Sequence, residues 1–185
     1  MTHHIDIDTL VLYSGSHTGG PPPGTPGCKM CLFEAYNAIQ SPPDAPQQIT
    51  DERPPDMSPV LHRMGMRLND ALPDDKRQKL KRFLPRGGVS PLAGTRDDGL
   101  DELRGWLATD WVLRTATPLW LDAVVAAAAA DKWATYHKTY TATDATAQAH
   151  IQQQRYGPTI AAVQDSAIDL YTRLVNPAKE TADAH

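Results

Sequence analysis

The sequence predicts a mainly α fold: a small helical bundle of about five to six helices, with one short N-terminal strand and a proline-rich loop region. Three observations carry that prediction. Ten of the 16 prolines fall in residues 21–59, whereas all four tryptophans fall between 106 and 133, so a loop-rich third gives way to a helical remainder. Alanine fills 24 of the 185 positions while Leu, Ile, Val and Phe together fill 34, which leaves material for only a modest core. Net charge is −4, too small for the disorder that combines low apolarity with strong charge.

The first element is Thr9 to Tyr13, a β-branched and aromatic run that reads as a strand. It ends at Ser14-Gly15-Ser16-His17, and Gly19 to Gly24 interrupts regular structure. A helix is predicted over Cys28 to Gln40, with Cys28, Leu32, Ala35 and Ile39 on one face. Ser41 to Asp56 carries five prolines and reads as a loop. Ser58 then supplies an N-cap and Pro59 the first helical position, followed by the stripe Val60, Leu61, Met64, Leu68, Ala71 and Leu72. Pro73-Asp74-Asp75 stops that helix and caps another, which ends near Leu84-Pro85.

Asp97-Asp98 caps the longest helix, over about residues 98–117, and Pro118 kinks it or begins a new one. Leu119 to Lys132 continues with five alanines in a row, and residues 135–149 read as a fraying stretch. Pro158 starts the last helix, whose stripe runs from Ile160 to Val175, and Asn176-Pro177 ends it. The predicted division is 1–27 as strand and Gly/Pro-rich loop, 28–132 as helical core, 133–176 as helical extension and 177–185 as tail.

Several function classes are disfavoured at this level. The longest apolar stretch, Leu119 to Ala130, is broken by Asp122 and falls short of the roughly 20 residues a bilayer needs, so no membrane is expected. The N-terminal residues carry neither a basic region nor a long apolar one, which points to the cytoplasm. Two cysteines are too few for a stapled secreted domain. No phosphate loop, dinucleotide fingerprint or complete metal set is present, and no cofactor or metal is expected.

Four constellations remain. Asp110 and Arg114 lie at i, i+4 in the middle of the face set by Leu103 and Leu107, with Leu100, Trp106 and Trp111 beside it. They are therefore expected to form a buried ion pair, with Asp101, Arg104, Gly105 and Thr109 on the opposite face. Cys28 and Cys31 form a CxxC that reads first as core thiols. A cysteine at a helix N-terminus can also be a nucleophile, with His17 as base and Glu34 or Asn37 to orient it. Lys76, Arg77, Lys79, Lys81, Arg82 and Arg86 make an acid-free basic stretch that suits phosphate contacts or a solvated face. Trp133, Tyr136 and Tyr140 share a helical stripe, which reads as core or as a groove for a partner.

Four segments in order carry a resemblance. They are Asp8 to Leu12 with the Ser-Gly-Ser-His turn; Cys31 to Ala35; Ser58-Pro59-Val60 followed by Arg67 to Asp74; and Trp106 to Trp111 with Arg114, Thr117-Pro118 and Trp120-Leu121. Together they resemble a family of small proteins from actinobacteria and their phages with no assigned function. The resemblance covers roughly residues 6–130 and implies no catalytic residue. The chain departs from that pattern in its proline-rich insertion, 41–56, and in its Ala/Thr-rich residues 131–185.

The leading expectation is a non-enzymatic protein that binds and modulates another protein. The alternatives are a nucleic-acid-binding protein using residues 76–86 and a thiol-dependent hydrolase or transferase using Cys28 or Cys31.

Overall fold

The computed structural model describes residues 5–23, 25–42, 49–136 and 145–177, with 127–136 and 145–155 as backbone alone. The described chain is mainly helical: α1 Leu32–Gln40, α2 Pro59–Ala71, α3 Asp74–Arg77, α4 Asp101–Trp111, α5 Thr117–Tyr136 and α6 Ala145–Val175. A 3-10 segment, Gln78–Phe83, follows α3, and a π-helical turn, Val112–Ala116, separates α4 from α5. The chain divides into two compact units, residues 1–106 with 168–185 and residues 107–167. The division therefore falls inside α4 and α6, away from the boundaries expected from composition.

In the first unit the core is built from α1, α2, the 3-10 segment and the last turns of α6. Leu32, Phe33, Tyr36, Leu61, Leu68, Leu80, Phe83, Ile168, Tyr171 and Leu174 are all buried. Gly65 sits where helices approach closely. A Cβ built there would lie 2.6 Å from the Tyr171 hydroxyl and 2.8 Å from Phe33 Cζ. The Tyr171 hydroxyl donates to the Leu61 carbonyl at 3.0 Å, so the phenol is buried with its polar end satisfied.

The predicted strand at Thr9–Tyr13 does not form. Residues 7–9 make a turn, closed by Leu10 N–H donating to Asp6 O at 3.0 Å. What survives is a single bridge between Leu12 and Met30. The backbone of Leu12 is satisfied instead by one side-chain amide: its N–H donates to Gln78 Oε1 at 2.9 Å and its carbonyl accepts from Gln78 Nε2 at 3.0 Å. A buried segment needs partners for its backbone, and a glutamine provides them here in place of a neighbouring strand.

The helix expected from Cys28 begins at Leu32, with Cys31 as N-cap and Cys28 in the preceding loop. The Ser58 cap and Pro59 start are as read from the sequence: the Ser58 hydroxyl accepts from the N–H groups of Val60 and Leu61. The second unit departs most from expectation. Of the two outcomes read for Pro118, the structure shows the second: a new helix, α5, begins at Thr117 with Pro118 in its first turn. The π-turn immediately before it absorbs the disruption, because a proline ring crowds the carbonyl four residues back and supplies no N–H. Pro158 does not start the last helix: α6 begins at Ala145 and runs through it. Loop residues 43–48, Tyr140 and most of the predicted tail, 178–185, lie outside the described residues. No helix among the described residues is long and apolar enough to cross a membrane.

Candidate functional site

The sequence places its candidate thiol site at the start of α1, and the structure brings part of it together. Glu34 has no solvent exposure, yet it lies within reach of two backbone N–H groups and an imidazole nitrogen. Its carboxylate accepts from the backbone N–H of Cys31 at 2.7 Å and from the backbone N–H of His17, and it lies 3.1 Å from His17 Nδ1. Such a carboxylate compensates its own desolvation by fixing the Ser14–His17 turn onto the helix N-terminus. Asn69, also buried, does similar work beside it, accepting from Leu32 N–H at 3.1 Å and donating to Tyr13 O at 2.9 Å.

The nucleophile this arrangement would need is not supplied by Cys31. Its side chain is buried, and burial, with the nearby Glu34 charge adding to it, pushes the thiol up to about 12. At neutral pH it stays protonated, whereas a nucleophilic cysteine is a thiolate. Cys28 is half-buried in the loop before the helix, so the helix-terminus argument does not apply to it. Asn37 is committed elsewhere, donating to the carbonyls of Thr50 and Glu52. No cluster of three or more metal-ligating side chains occurs among the described residues.

The basic stretch does not present six cations on one helix. It passes from α3 into the 3-10 segment, which breaks the α-helical spacing. Arg77 is buried, with Nε donating to Asn69 O at 2.6 Å, another nitrogen to Leu72 O, and an ion pair to Asp74. Lys81 donates to Asp8 O and Arg86 pairs with the Asp8 carboxylate at 3.1 Å. Lys79 and Arg82 are exposed and Lys76 is half-buried; Arg82 also lies over the Phe83 ring.

The expected buried pair is overturned. Asp110 and Arg114 do meet, at 2.7 Å, but their side chains are 51% and 82% exposed. The buried cation of α4 is Arg104, on the face read as solvated, with none of its surface exposed. Its guanidinium donates to Asp98 at 2.6 and 2.9 Å, to Asp101 at 3.0 Å, to Thr95 O at 3.3 Å and to Leu174 O at 2.9 Å. The hydrogen bonds from Arg104 hold the Asp98 carboxyl below its ordinary range. The pattern of Leu103, Trp106 and Leu107 failed as a guide because it weighs only side-chain apolarity. A fully satisfied guanidinium can be buried when loop and helix-end carbonyls surround it.

The second unit shows the reverse of an ordinary core. Its buried side chains among the described residues are Ala116, Ala123 and Ala167. Many of its large apolar side chains face outward: Val112, Leu113, Trp120, Leu121, Val124 and Val125 are exposed, Leu113 at 65% and Trp120 at 42%, while Leu107, Trp111, Leu119 and Val163 are half-buried. A polar tie within it runs from Trp111 Nε1, which donates to Ser166 Oγ at 3.1 Å, with the serine donating on to Val163 O. On α5 the residues at 120, 121, 124 and 125 are neighbours on one side of the helix, since 120/124 and 121/125 are four apart and 121/124 three apart. Composition carried a trace of this face. Between 115 and 130 the only charged residue is Asp122.

Of the predicted partner stripe, Trp133 and Tyr136 fall on α5, in its backbone-only part, and Tyr140 falls outside the described residues. Comparison with known proteins returned no matching family model, no similar curated protein and no similar solved structure.

Proposed function

We propose that this chain is a non-enzymatic, cytoplasmic binding module that modulates another protein, and that its working surface is the outward apolar face of the π-turn and α5. One observation carries the reading: the second unit buries alanines and exposes Leu113, Trp120, Leu121, Val124 and Val125. Contiguous exposed apolar side chains on a soluble domain mark an interaction site, and tryptophan is prominent among residues that anchor interfaces. The occupant that such a face suits is an amphipathic helix, whose apolar side chains repeat at the same three- and four-residue spacing. The resemblance to actinobacterial and phage proteins fits an accessory role of this kind. The buried state of Arg77 and the protonated Cys31 thiol weaken the nucleic-acid and thiol readings.

The test is selection of amphipathic helical peptides from a displayed library against the immobilised full chain. Enriched peptides are expected to bind with micromolar Kd and to lose binding when Leu121→Asp and Val125→Asp are introduced together. No enrichment, or enrichment indifferent to that double substitution, contradicts the reading. Binding that instead disappears on Lys79→Glu with Arg82→Glu returns the weight to the basic stretch.

A further inference from the structure

We propose that the outer ring nitrogen of His17, Nε2, is a phosphoryl-acceptor site. Its donor is of the phosphoramidate class, which carries the phosphoryl group on nitrogen. The site lies wholly in the first unit and is independent of the outward face of α5.

The imidazole is held in one orientation and one tautomer. Glu34, with no solvent exposure, grips His17 twice: one carboxylate oxygen accepts the backbone N–H, and the other lies 3.1 Å from Nδ1. That second oxygen also accepts from Cys31 N–H at 2.7 Å. Both oxygens act as acceptors, which assigns the ring hydrogen to Nδ1 and leaves the lone pair on Nε2. The Tyr13 ring meets the imidazole edge to face. The His17 side chain is 22% exposed, and Nε2 has no hydrogen-bond partner among the described residues. A carboxylate on one ring N–H fixes the direction of the other nitrogen's lone pair and raises its basicity.

A nitrogen prepared in this way can ligate a metal or attack an electrophile. A metal site calls for further ligands, and no group of three lies among the described residues. Attack on phosphorus calls for no second ligand: it needs a directed lone pair, access, and a cation to meet the phosphoryl oxygens. Lys29 is that cation. It is exposed, and its ammonium lies 5.3 Å from the centre of the same Tyr13 ring that packs on His17. The carboxylates that reach this turn are engaged, Asp70 by Gly15 N–H at 2.8 Å and Asp51 by the Thr18 hydroxyl at 3.4 Å. The protonated Cys31 thiol is no obstacle, because the imidazole itself is the nucleophile.

In the step, the Nε2 lone pair forms a bond to phosphorus. The P–N bond of the protonated donor breaks, and its electron pair leaves with the donor nitrogen as a neutral amine. The ring gains one positive charge and keeps its hydrogen on Nδ1, where the Glu34 carboxylate balances that charge. Glu34 is therefore a positioning residue.

The test treats the full chain with potassium phosphoramidate near neutral pH. Phosphorus NMR and mass spectrometry of peptides kept alkaline read the product, because a phosphorylated imidazole is lost in acid. His17 is expected to react several-fold faster in the folded chain than in the same chain unfolded in urea, and at Nε2 alone. His62, whose Nε2 lies 2.9 Å from Asp51 O, is the internal reference and is expected to react more slowly folded than unfolded. Glu34→Gln keeps an acceptor but removes the charge, and is expected to slow the reaction at His17 about tenfold. Lys29→Ala, at an exposed position, is expected to slow it several-fold with circular dichroism unchanged. Reaction at His17 no faster than in urea overturns the proposal, and so does attachment at Nδ1. An unchanged rate in Lys29→Ala overturns it as well, whether or not Glu34→Gln folds.

Discussion

The two units of this chain place apolar and polar side chains in opposite ways. In the first, Phe33, Tyr36, Leu61, Tyr171 and other large residues are inside, and the irregular segments around them are tied by buried polar side chains: Glu34, Asn69, Arg77 and Arg104. In the second, the buried side chains among the described residues are alanines, and six large apolar ones between Val112 and Val125 face out. Burying large side chains stabilises a fold, at roughly 1.5–3 kcal/mol for each one fully removed from water. Leaving them outside forgoes that stabilisation and makes sense where another surface supplies the cover.

The largest effect that would break this contrast is at Arg104. Replacing it with alanine removes the donor shared by Asp98, Asp101, Thr95 O and Leu174 O, leaving partly buried carboxylates without their counter-charge. The expected loss is about 3–5 kcal/mol, read as a lower urea midpoint. Arg114→Ala, at the exposed pair, is expected to change stability by less than about 1 kcal/mol. Equal effects at the two sites would erase the distinction between the units. Next in size is Gly65→Ala, where the added methyl meets the Tyr171 hydroxyl and Phe33. The expected destabilisation is about 1–3 kcal/mol.

A smaller effect depends on pH. Asp98 is held below its ordinary range by hydrogen bonds from Arg104, so as pH falls through about 4 the unfolded chain binds a proton before the folded chain does. Its stabilisation is present above that range and is lost as the pH drops below it. Thermal melts between pH 6 and 3 should therefore fall more steeply for the wild type than for Asp98→Asn. The fold-level effect of Val125→Asp is the smallest, within about 0.5 kcal/mol, because that side chain is exposed. Alkylation sharpens the comparison from another side: iodoacetamide is expected to leave Cys31 unmodified in the folded protein near neutral pH, and labelling as fast as a free thiol would contradict its burial.

Local signals were legible in the sequence where they depend on a few adjacent residues. Ser58 followed by Pro59 starts α2 as expected, because cap and first-turn preferences act within one turn. Glu34 or Asn37 was read as orienting His17 in a reactive site; the structure sets Glu34 beside His17 in a tying role and commits Asn37 to Thr50 O and Glu52 O. What could not be read was the partner of a distant group. Gln78 satisfies Leu12 from 66 residues away, and no pattern in Thr9–Tyr13 distinguishes that from a strand. Helical periodicity also identifies an apolar face without saying whether the chain itself covers it. Leu103, Trp106 and Leu107 form such a face, yet Trp106 is 65% exposed while Arg104 is buried. The carboxylate of Asp98 and the carbonyl of Leu174, the latter 70 residues away, decide that outcome.

Hydroxyl-radical footprinting of the dilute full chain most directly tests the outward face of α5. Rapid modification of Leu113, Trp120 and Leu121 is expected, with Phe33, Tyr36 and Tyr171 protected in the same sample. Protection of Trp120 and Leu121 to the level of Tyr171 would show the face to be covered within a single chain, contradicting its assignment as a binding surface.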